Sequence, residues 1–274
     1  MRTTATAAPK IAGQIRRRRP GPAGGVGGAH ASAAVGPASL EEGVAAASPS
    51  AVASGSDILE RVSDDVATDG GRDRRAELRR RRLVLAGHRG DPTLARRGLC
   101  DPDPGVQAAA LGALDRLGEL TADDVVGALS TGAAPLRRRA VEAAPGVHGR
   151  GSRSVLPAAV TGALDDPDPL VVVGAAWFLG ERRHRPAVPS LVATATGHGD
   201  TRCREAAVAA LGAIGDPGGL PAVLAALGDK PTVRRRATVA LAGFDDPRVE
   251  PALRAAAGDR DWQVRQAAEE LLGA

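Results

Sequence analysis

A motif that recurs about every 31 residues constrains this chain more than any other feature of its sequence. Each copy begins at an apolar residue, and successive copies are separated by 30, 35, 32, 30 and 31 residues. These anchor residues are Val106, Leu136, Val171, Cys203, Val233 and Val264. Periods of about 20–50 residues are typical of arrays in which each unit stacks on its neighbours. The sequence therefore predicts a stack of similar units from residue 73 onward.

Each copy has the spacing of two amphipathic helices. Small or apolar residues stand four, seven and eight positions after the anchor, as Ala110 and Leu114 do after Val106, which places them on one side of an α-helix. A second helix is marked by a proline 18 residues after the anchor in three copies: Pro189, Pro221 and Pro251. One helix pair cannot bury both of its apolar faces alone, so the pairs are predicted to stack into a solenoid.

Proline, aspartate and glycine mark the predicted helix boundaries. Three of the first helices are predicted to begin at a proline two residues before the anchor: Pro104, Pro169 and Pro231. Asp103 and Asp168 directly precede two of these prolines, and an aspartate there can accept the free N–H groups of the first turn. Three glycines, which tolerate a positive φ, are predicted to end helices: Gly118, Gly180 and Gly215.

The first 72 residues have a different character. They mix Ala, Gly, Pro, Ser and Thr without an apolar period, a composition that cannot bury enough surface to offset chain entropy. We therefore predict a disordered tail over 1–72 and the solenoid over 73–274. The first 40 residues carry six basic groups and no acid, which leaves three interpretations open: an inert tail, which we favour, a basic arm for nucleic acid, or a targeting peptide.

The composition excludes several classes of protein. No run of about 18 apolar residues is present, so no membrane span is expected. The two cysteines, Cys100 and Cys203, form no CxxC pair, so neither a disulfide framework nor a zinc site is predicted, and a reducing cytoplasm is the expected location. Only four aromatic residues are present: Trp177, Phe178, Phe244 and Trp262.

Four segments together resemble HEAT repeats, of the short kind named after phycobilisome lyases. They are DPDPGVQAAALGAL (101–114), DDPDPLVVVGAAWFLG (165–180), TRCREAAVAALGAIGDPGGLPAVLAAL (201–227) and DRDWQVRQAAEELLG (259–273). This resemblance implies an all-α fold, an α–α superhelix of five to six helix–turn–helix repeats behind the disordered tail. AELRRRRLVLAGHRGDP (76–92) and TLARRGL (93–99) are interpreted as a degenerate first repeat.

The resemblance also implies a ladder in which an aspartate before the anchor and an arginine just after it stack between repeats. The residues that match these positions are Asp103, Arg137, Asp168, Asp200, Arg204, Arg234, Asp261 and Arg265. Gln107 and Val172 replace the arginine in two copies, so we expect the ladder to be interrupted there.

The enzymes with HEAT-like folds have features that are scarce or missing in this sequence. The deoxyhypusine hydroxylase type holds di-iron through His-Glu pairs, and none of the five histidines is followed by glutamate. No local motif of a bilin lyase is visible, and four aromatic residues give little support to a DNA glycosylase site. No GxSxG motif or P-loop is present. We therefore predict no catalytic residue, cofactor or metal.

The outward positions of the first helices are the candidate binding residues: Arg138, Glu142, Trp177, Glu205, Arg235, Gln266 and Glu269. The resemblance implies that this helix row lines the concave surface. Residues 73–274 hold 28 basic and 25 acidic groups, which favours a protein partner over nucleic acid. The predicted function is a non-catalytic scaffold for protein–protein interaction; the alternatives are a bilin-lyase-like enzyme or accessory subunit and a nucleic-acid-binding solenoid. Trp177 could instead pack against the neighbouring repeat.

Overall fold

The computed structural model describes residues 55–149 and 152–273, and the regular structure there is helical. Its thirteen α-helices are α1 (Gly55–Arg89), α2 (Pro92–Gly98), α3 (Pro104–Leu117), α4 (Ala122–Thr131), α5 (Ala134–Ala143), α6 (Val155–Gly162), α7 (Pro169–Glu181), α8 (Val188–Gly197), α9 (Thr201–Ile214), α10 (Leu220–Ala226), α11 (Pro231–Ala240), α12 (Val249–Ala256) and α13 (Trp262–Leu272). The all-α prediction is confirmed. All packing described below lies within Asp73–Ala274.

Helix α1 begins upstream of the predicted boundary at residue 73. It starts at Gly55, so residues 55–72 are helical where the sequence analysis expects no regular structure. Ile58, Val62 and Val66 recur there at a spacing of four residues, a pattern that favours a helix. The remainder of the predicted tail, residues 1–54, lies outside the described residues.

The helices form two rows, as the repeat period predicts. The A helices, which contain the anchors, are α3, α5, α7, α9, α11 and α13, and each packs against the next. The B helices that follow them are α4, α6, α8, α10 and α12; among these, α4 packs against α6 and α8 against α10. Residues 73–89 of α1 and helix α2 form the degenerate first pair, in which Ala76 and Leu83 cluster with Val106 and Ala110 of α3.

The predicted helix starts are confirmed at all three prolines, which are the first residues of α3, α7 and α11. The Asp103 carboxylate accepts the Val106 N–H at 2.8 Å, and that of Asp168 accepts the Leu170 N–H at 3.0 Å. Such caps satisfy backbone donors that have no partner within the helix. The aspartate and proline of these turns therefore determine where α3 and α7 begin.

The core is built from small aliphatic side chains that allow the A helices to approach closely. All six anchors are buried. Gly180, predicted to end its helix, lies instead inside α7, where an added Cβ would be 2.9 Å from Cα of Ala210. This glycine therefore permits the contact between α7 and α9, and the predicted helix end at Gly180 is wrong. Phe178 is the one aromatic side chain that is fully buried among the described residues.

Candidate protein-binding surface

The seven candidate binding residues all lie on A helices. Helix α5 carries Arg138 and Glu142, α7 carries Trp177, α9 carries Glu205, α11 carries Arg235, and α13 carries Gln266 and Glu269. Six of them are exposed and Glu205 is half-buried. We call the outward side of α5, α7, α9, α11 and α13 the A-helix surface. The helical spacing therefore identified accessible positions on one helix row.

Two large apolar side chains stand exposed at the same position of their A helices, Trp177 and Val239, whereas the other exposed ones lie at helix ends: Leu170, Trp262 and Leu272. Trp177 on α7 is 53% exposed and Val239 on α11 is 46% exposed. Each lies six residues after its anchor, and Ala209 occupies the same position on α9 between them. Because the A helices pack in sequence, these three residues form an apolar line across three repeats. The sequence analysis did not select Val239, although its position after the anchor matches that of Trp177.

A shallow depression of about 110 Å³ adjoins this line and is lined by Glu205, Thr232, Arg235, Arg236, Val239 and Gln263. Arg236 donates to the Glu205 carboxylate at 3.3 Å. The exposed Arg235 forms no ion pair with any described residue, so its guanidinium is available to an external acceptor. Charged and apolar groups thus lie side by side on α9 and α11.

The other candidate residues engage in contacts within the chain. Arg138 binds the Asp168 carboxylate of the next repeat through Nε. Glu142 accepts from Arg139 at 3.3 Å, and Gln266 donates to Glu270 at 2.9 Å. The Asp168 carboxylate is buried, so Arg138 is held in place, whereas Glu142 and Gln266 make exposed contacts that contribute little stability and can exchange an internal partner for an external one.

Arginines one residue after the anchor join successive repeats. Arg137 donates to Asp166 through Nε at 2.6 Å and through Nη2 at 2.8 Å. Arg204 binds Asp229 in the same way, at 2.6 and 2.8 Å. The remaining nitrogen of Arg137 donates to the Gly132 carbonyl at 2.8 Å, in the turn before its own helix. Each of these guanidinium groups therefore links the turn before its own helix to the turn before the next A helix.

The most buried of these arginines is Arg234, which is 5% exposed. It donates to Asp259 at 2.9 and 2.8 Å and to the Asp229 carbonyl at 3.0 Å. Arg265 donates to the Asp259 carbonyl at 2.8 Å. No inter-repeat ion pair joins Gln107 or Val172 to the following turn in the described part of the chain.

The acidic half of the predicted ladder requires a correction. Asp103, Asp168, Asp200 and Asp261 accept backbone N–H groups of their own helices as N-caps. The arginines after the anchors Leu136, Cys203 and Val233 bind other aspartates: Asp166, Asp229 and Asp259. Asp166 and Asp259 each lie two residues before a cap, and Asp229 directly precedes Lys230, the residue before α11. Asp103 and Asp168 do bind arginines, but these are Arg80 and Arg138, from a different position on the preceding helix. The sequence signal for this arrangement is the pair of aspartates two residues apart in DPDP (166–169) and in DRD (259–261).

The free energy of unfolding is expected to fall as the pH drops below about 4. Hydrogen bonds from Arg234 hold the pKa of Asp259 below its usual value, and those from Arg204 do the same for Asp229. A carboxylate with a lowered folded pKa stabilises the fold above its unfolded pKa of about 3.9, and this stabilisation is lost as the pH falls through the folded pKa. Urea denaturation at successive pH values measures the loss.

The matched variant for this experiment is Asp229→Asn/Asp259→Asn, in which neither carboxylate can titrate. It should lose less stability than the parent chain over the same fall in pH. An equal loss in both proteins would show that these two aspartates are not responsible.

Few side chains in the described residues are placed to bind a metal ion or to react. No cluster of three or more His, Cys, Asp or Glu side chains there could hold a metal ion. Cys203 is buried, and burial raises the pKa of its thiol to about 11, which keeps it protonated and unreactive at neutral pH. No helix in this part of the chain combines the length and apolarity needed to cross a bilayer.

Comparison with known proteins finds repeat-protein similarity over the second half of the chain. The HEAT-repeat family model matches residues 156–240 and 229–274. No curated protein sequence matches. An engineered protein is 18% identical, with a TM-score of 0.51 over 67% of this chain and 97% of its own, which supports the fold.

Two other solved structures are similar to this chain. The complex of CpcE and CpcF of phycocyanin lyase from Nostoc sp. PCC7120 is 26% identical, with a TM-score of 0.48 over 67% of this chain and 76% of that one. A designed armadillo repeat protein in complex with the peptide (KR)4 is 17% identical, with a TM-score of 0.49 over 66% of this chain and 98% of that one.

Proposed function

This chain carries HEAT repeats over residues 156–274, and on that premise we propose that it is a scaffold that binds another protein through its A-helix surface. Each repeat packs on its neighbours, so the array presents side chains at a regular spacing over an extended surface. The partner contacts the apolar line of Trp177, Ala209 and Val239 and places polar groups beside Arg235.

The observation that carries this proposal is the exposure of Trp177. Its side chain is 53% exposed on a helix whose adjacent residue, Phe178, is fully buried. The indole is therefore held on a rigid support, and Trp is one of the side chains enriched among those that dominate binding energy at protein interfaces. Val239 extends the apolar contact by two repeats.

The charges of the A-helix surface favour a protein over a uniformly anionic polymer. Arg235 and Arg236 lie on α11, whereas Glu205 lies on α9 and Glu269 and Glu270 lie on α13. Nucleic-acid interfaces are much more positively charged than this. A protein segment with an apolar residue and an acidic residue matches Trp177 and the depression beside Arg235.

Purification of the tagged chain from its native cells tests the proposal. Trp177→Ala and Arg235→Glu should each remove the specific partner, because truncation of an interface anchor weakens binding by about tenfold or more. The matched controls are Val155→Ala, which truncates an apolar side chain that is 49% exposed on the B helix α6, and Arg97→Glu, which reverses an exposed charge on α2.

The controls should retain every partner that the unaltered chain recovers. If Trp177→Ala and Arg235→Glu recover that same set of proteins, the A-helix surface is not the binding surface. If the two controls lose the partner as well, binding depends on net charge or folding and the proposed surface is equally wrong.

A further inference from the structure

The turn between α7 and α8 holds a residue in a conformation that its side chain disfavours. Arg183 has φ 48° and is the one non-glycine residue with positive φ in the described ranges. A side chain in this left-handed region costs free energy that glycine avoids. Such positions tend to mark sites where the side chain is retained for a task other than stability.

Other helices of the same row use glycine for the same turn. Positive φ occurs at Gly118, Gly215 and Gly273, which follow α3, α9 and α13, and at Gly90, which follows α1. After α3, the N–H groups of Gly118 and Glu119 donate to Asp115 and Leu114, each at 3.0 Å. After α7, those of Arg183 and His184 make the corresponding bonds to Gly180 and Leu179, also at 3.0 Å. An arginine thus replaces glycine in an otherwise identical helix end.

A second turn lies directly beside this one. The Arg182 guanidinium sits 5.2 Å from the centre of the Phe178 ring and donates to the carbonyls of Pro145 and Val147 at 3.4 and 3.5 Å. The turn that follows α5 therefore contacts the turn that follows α7. His148, next in the chain after Val147, is exposed there.

Two arginines of this region remain open to solvent. Arg183 is exposed and forms no ion pair with any described residue. Arg185 approaches Asp216 at 3.9 Å, but its side chain stays 73% exposed. Together with His148 they form a basic patch, which we define as His148, Arg183 and Arg185.

Acidic turns border this basic patch on both sides along the array. The turn between α3 and α4 carries Glu119, and the two turns after α9 and α11 carry Asp216 and Asp245. A long polyanion such as nucleic acid would run from the basic patch onto these carboxylates and be repelled there. The positive charge is therefore matched to a short anionic segment.

We propose that the basic patch is a second docking site, which binds a short carboxylate-rich segment of a partner protein. Arginine forms planar paired hydrogen bonds with carboxylates. Packed helices lie about 8–10 Å apart, so the two adjoining turns are separated by about the length of three extended residues. Acidic residues about three positions apart in an extended segment reach both turns at once.

The probe is a fluorescein-labelled tetraglutamate peptide, whose first and last residues are three positions apart, titrated with the full chain at low salt and followed by fluorescence anisotropy. Arg183→Gly/Arg185→Gln should raise the Kd by about tenfold or more. The single variant Arg183→Gly should weaken binding without lowering the Tm, because glycine accepts the positive φ. The matched control is Arg97→Gln/Arg260→Gln, which removes two exposed arginines elsewhere and should leave the Kd unchanged.

Three outcomes overturn the proposal. The first is no binding of the peptide by the unaltered chain. The second is an equal Kd for the basic-patch variant and the control variant, which would reflect net charge alone. The third is binding of a deca-thymidylate strand through the same arginines as tightly as the peptide, which would assign the patch to nucleic acid. Arg235→Glu should not change the Kd, so this test is separate from that of the A-helix surface.

Discussion

Replacement of Phe178 by alanine is expected to lower the free energy of unfolding by about 3–5 kcal/mol. The ring is fully buried in the main core cluster, and the surrounding side chains are mostly Ala, Val and Leu, which cannot fill the space that a phenyl group leaves. The substitution also removes the ring beneath the Arg182 guanidinium. Urea denaturation followed by far-UV circular dichroism measures the change.

The control is the residue next to it in the chain. Trp177→Ala removes a larger side chain that is 53% exposed, so its cost should be about 1 kcal/mol at most. The two variants should also separate function from stability, since only the tryptophan lies on the A-helix surface. Equal losses of stability would contradict the placement of Phe178 inside the core.

Arg234→Ala is expected to lower the free energy of unfolding by about 2–3 kcal/mol. The arginine is 5% exposed and the Asp259 side chain is 16% exposed. Its removal leaves that carboxylate, and the Asp229 carbonyl to which Arg234 also donates, without their partner. An unpaired buried charge costs more than the pair contributes when intact.

The corresponding exposed pair gives the comparison. Arg202 binds Asp200 at 2.7 Å, but its side chain is 64% exposed, so Arg202→Ala should leave the free energy of unfolding almost unchanged. A large loss from both substitutions would mean that burial does not distinguish these ion pairs. A small loss from both would mean that Arg234 contributes no more than an exposed arginine and does not join the repeats.

Much of the fold could be predicted because its signals are local in the chain. The anchors repeat at helical spacing, and Pro104, Pro169 and Pro231 begin their helices as predicted. Asp103 and Asp168, each directly before the proline that begins its helix, act as caps because the N–H groups they satisfy are only two or three residues away. No contact between repeats needs to be known for these inferences.

The errors concern contacts between repeats. The sequence places Asp166 and Asp168 two residues apart and does not say which of them faces the preceding repeat. Glycine at position 180 suggested a helix end, but a glycine is needed there because Ala210 approaches closely. The left-handed residue that follows the helix is Arg183. The apolar line on the A-helix surface was predicted only in part, because valine is a residue type usually found in the core and Val239 was therefore not selected.

The two tryptophans give the chain an unusual optical property. The sequence has no tyrosine, and Trp177 and Trp262 are 53% and 62% exposed, so both indoles already emit in contact with water while the chain is folded. Their emission wavelength should therefore change little when the chain unfolds and more when a bound partner covers an indole. In a chain that lacks Trp262, emission would come from Trp177 alone, and the A-helix surface would carry its own reporter of occupancy.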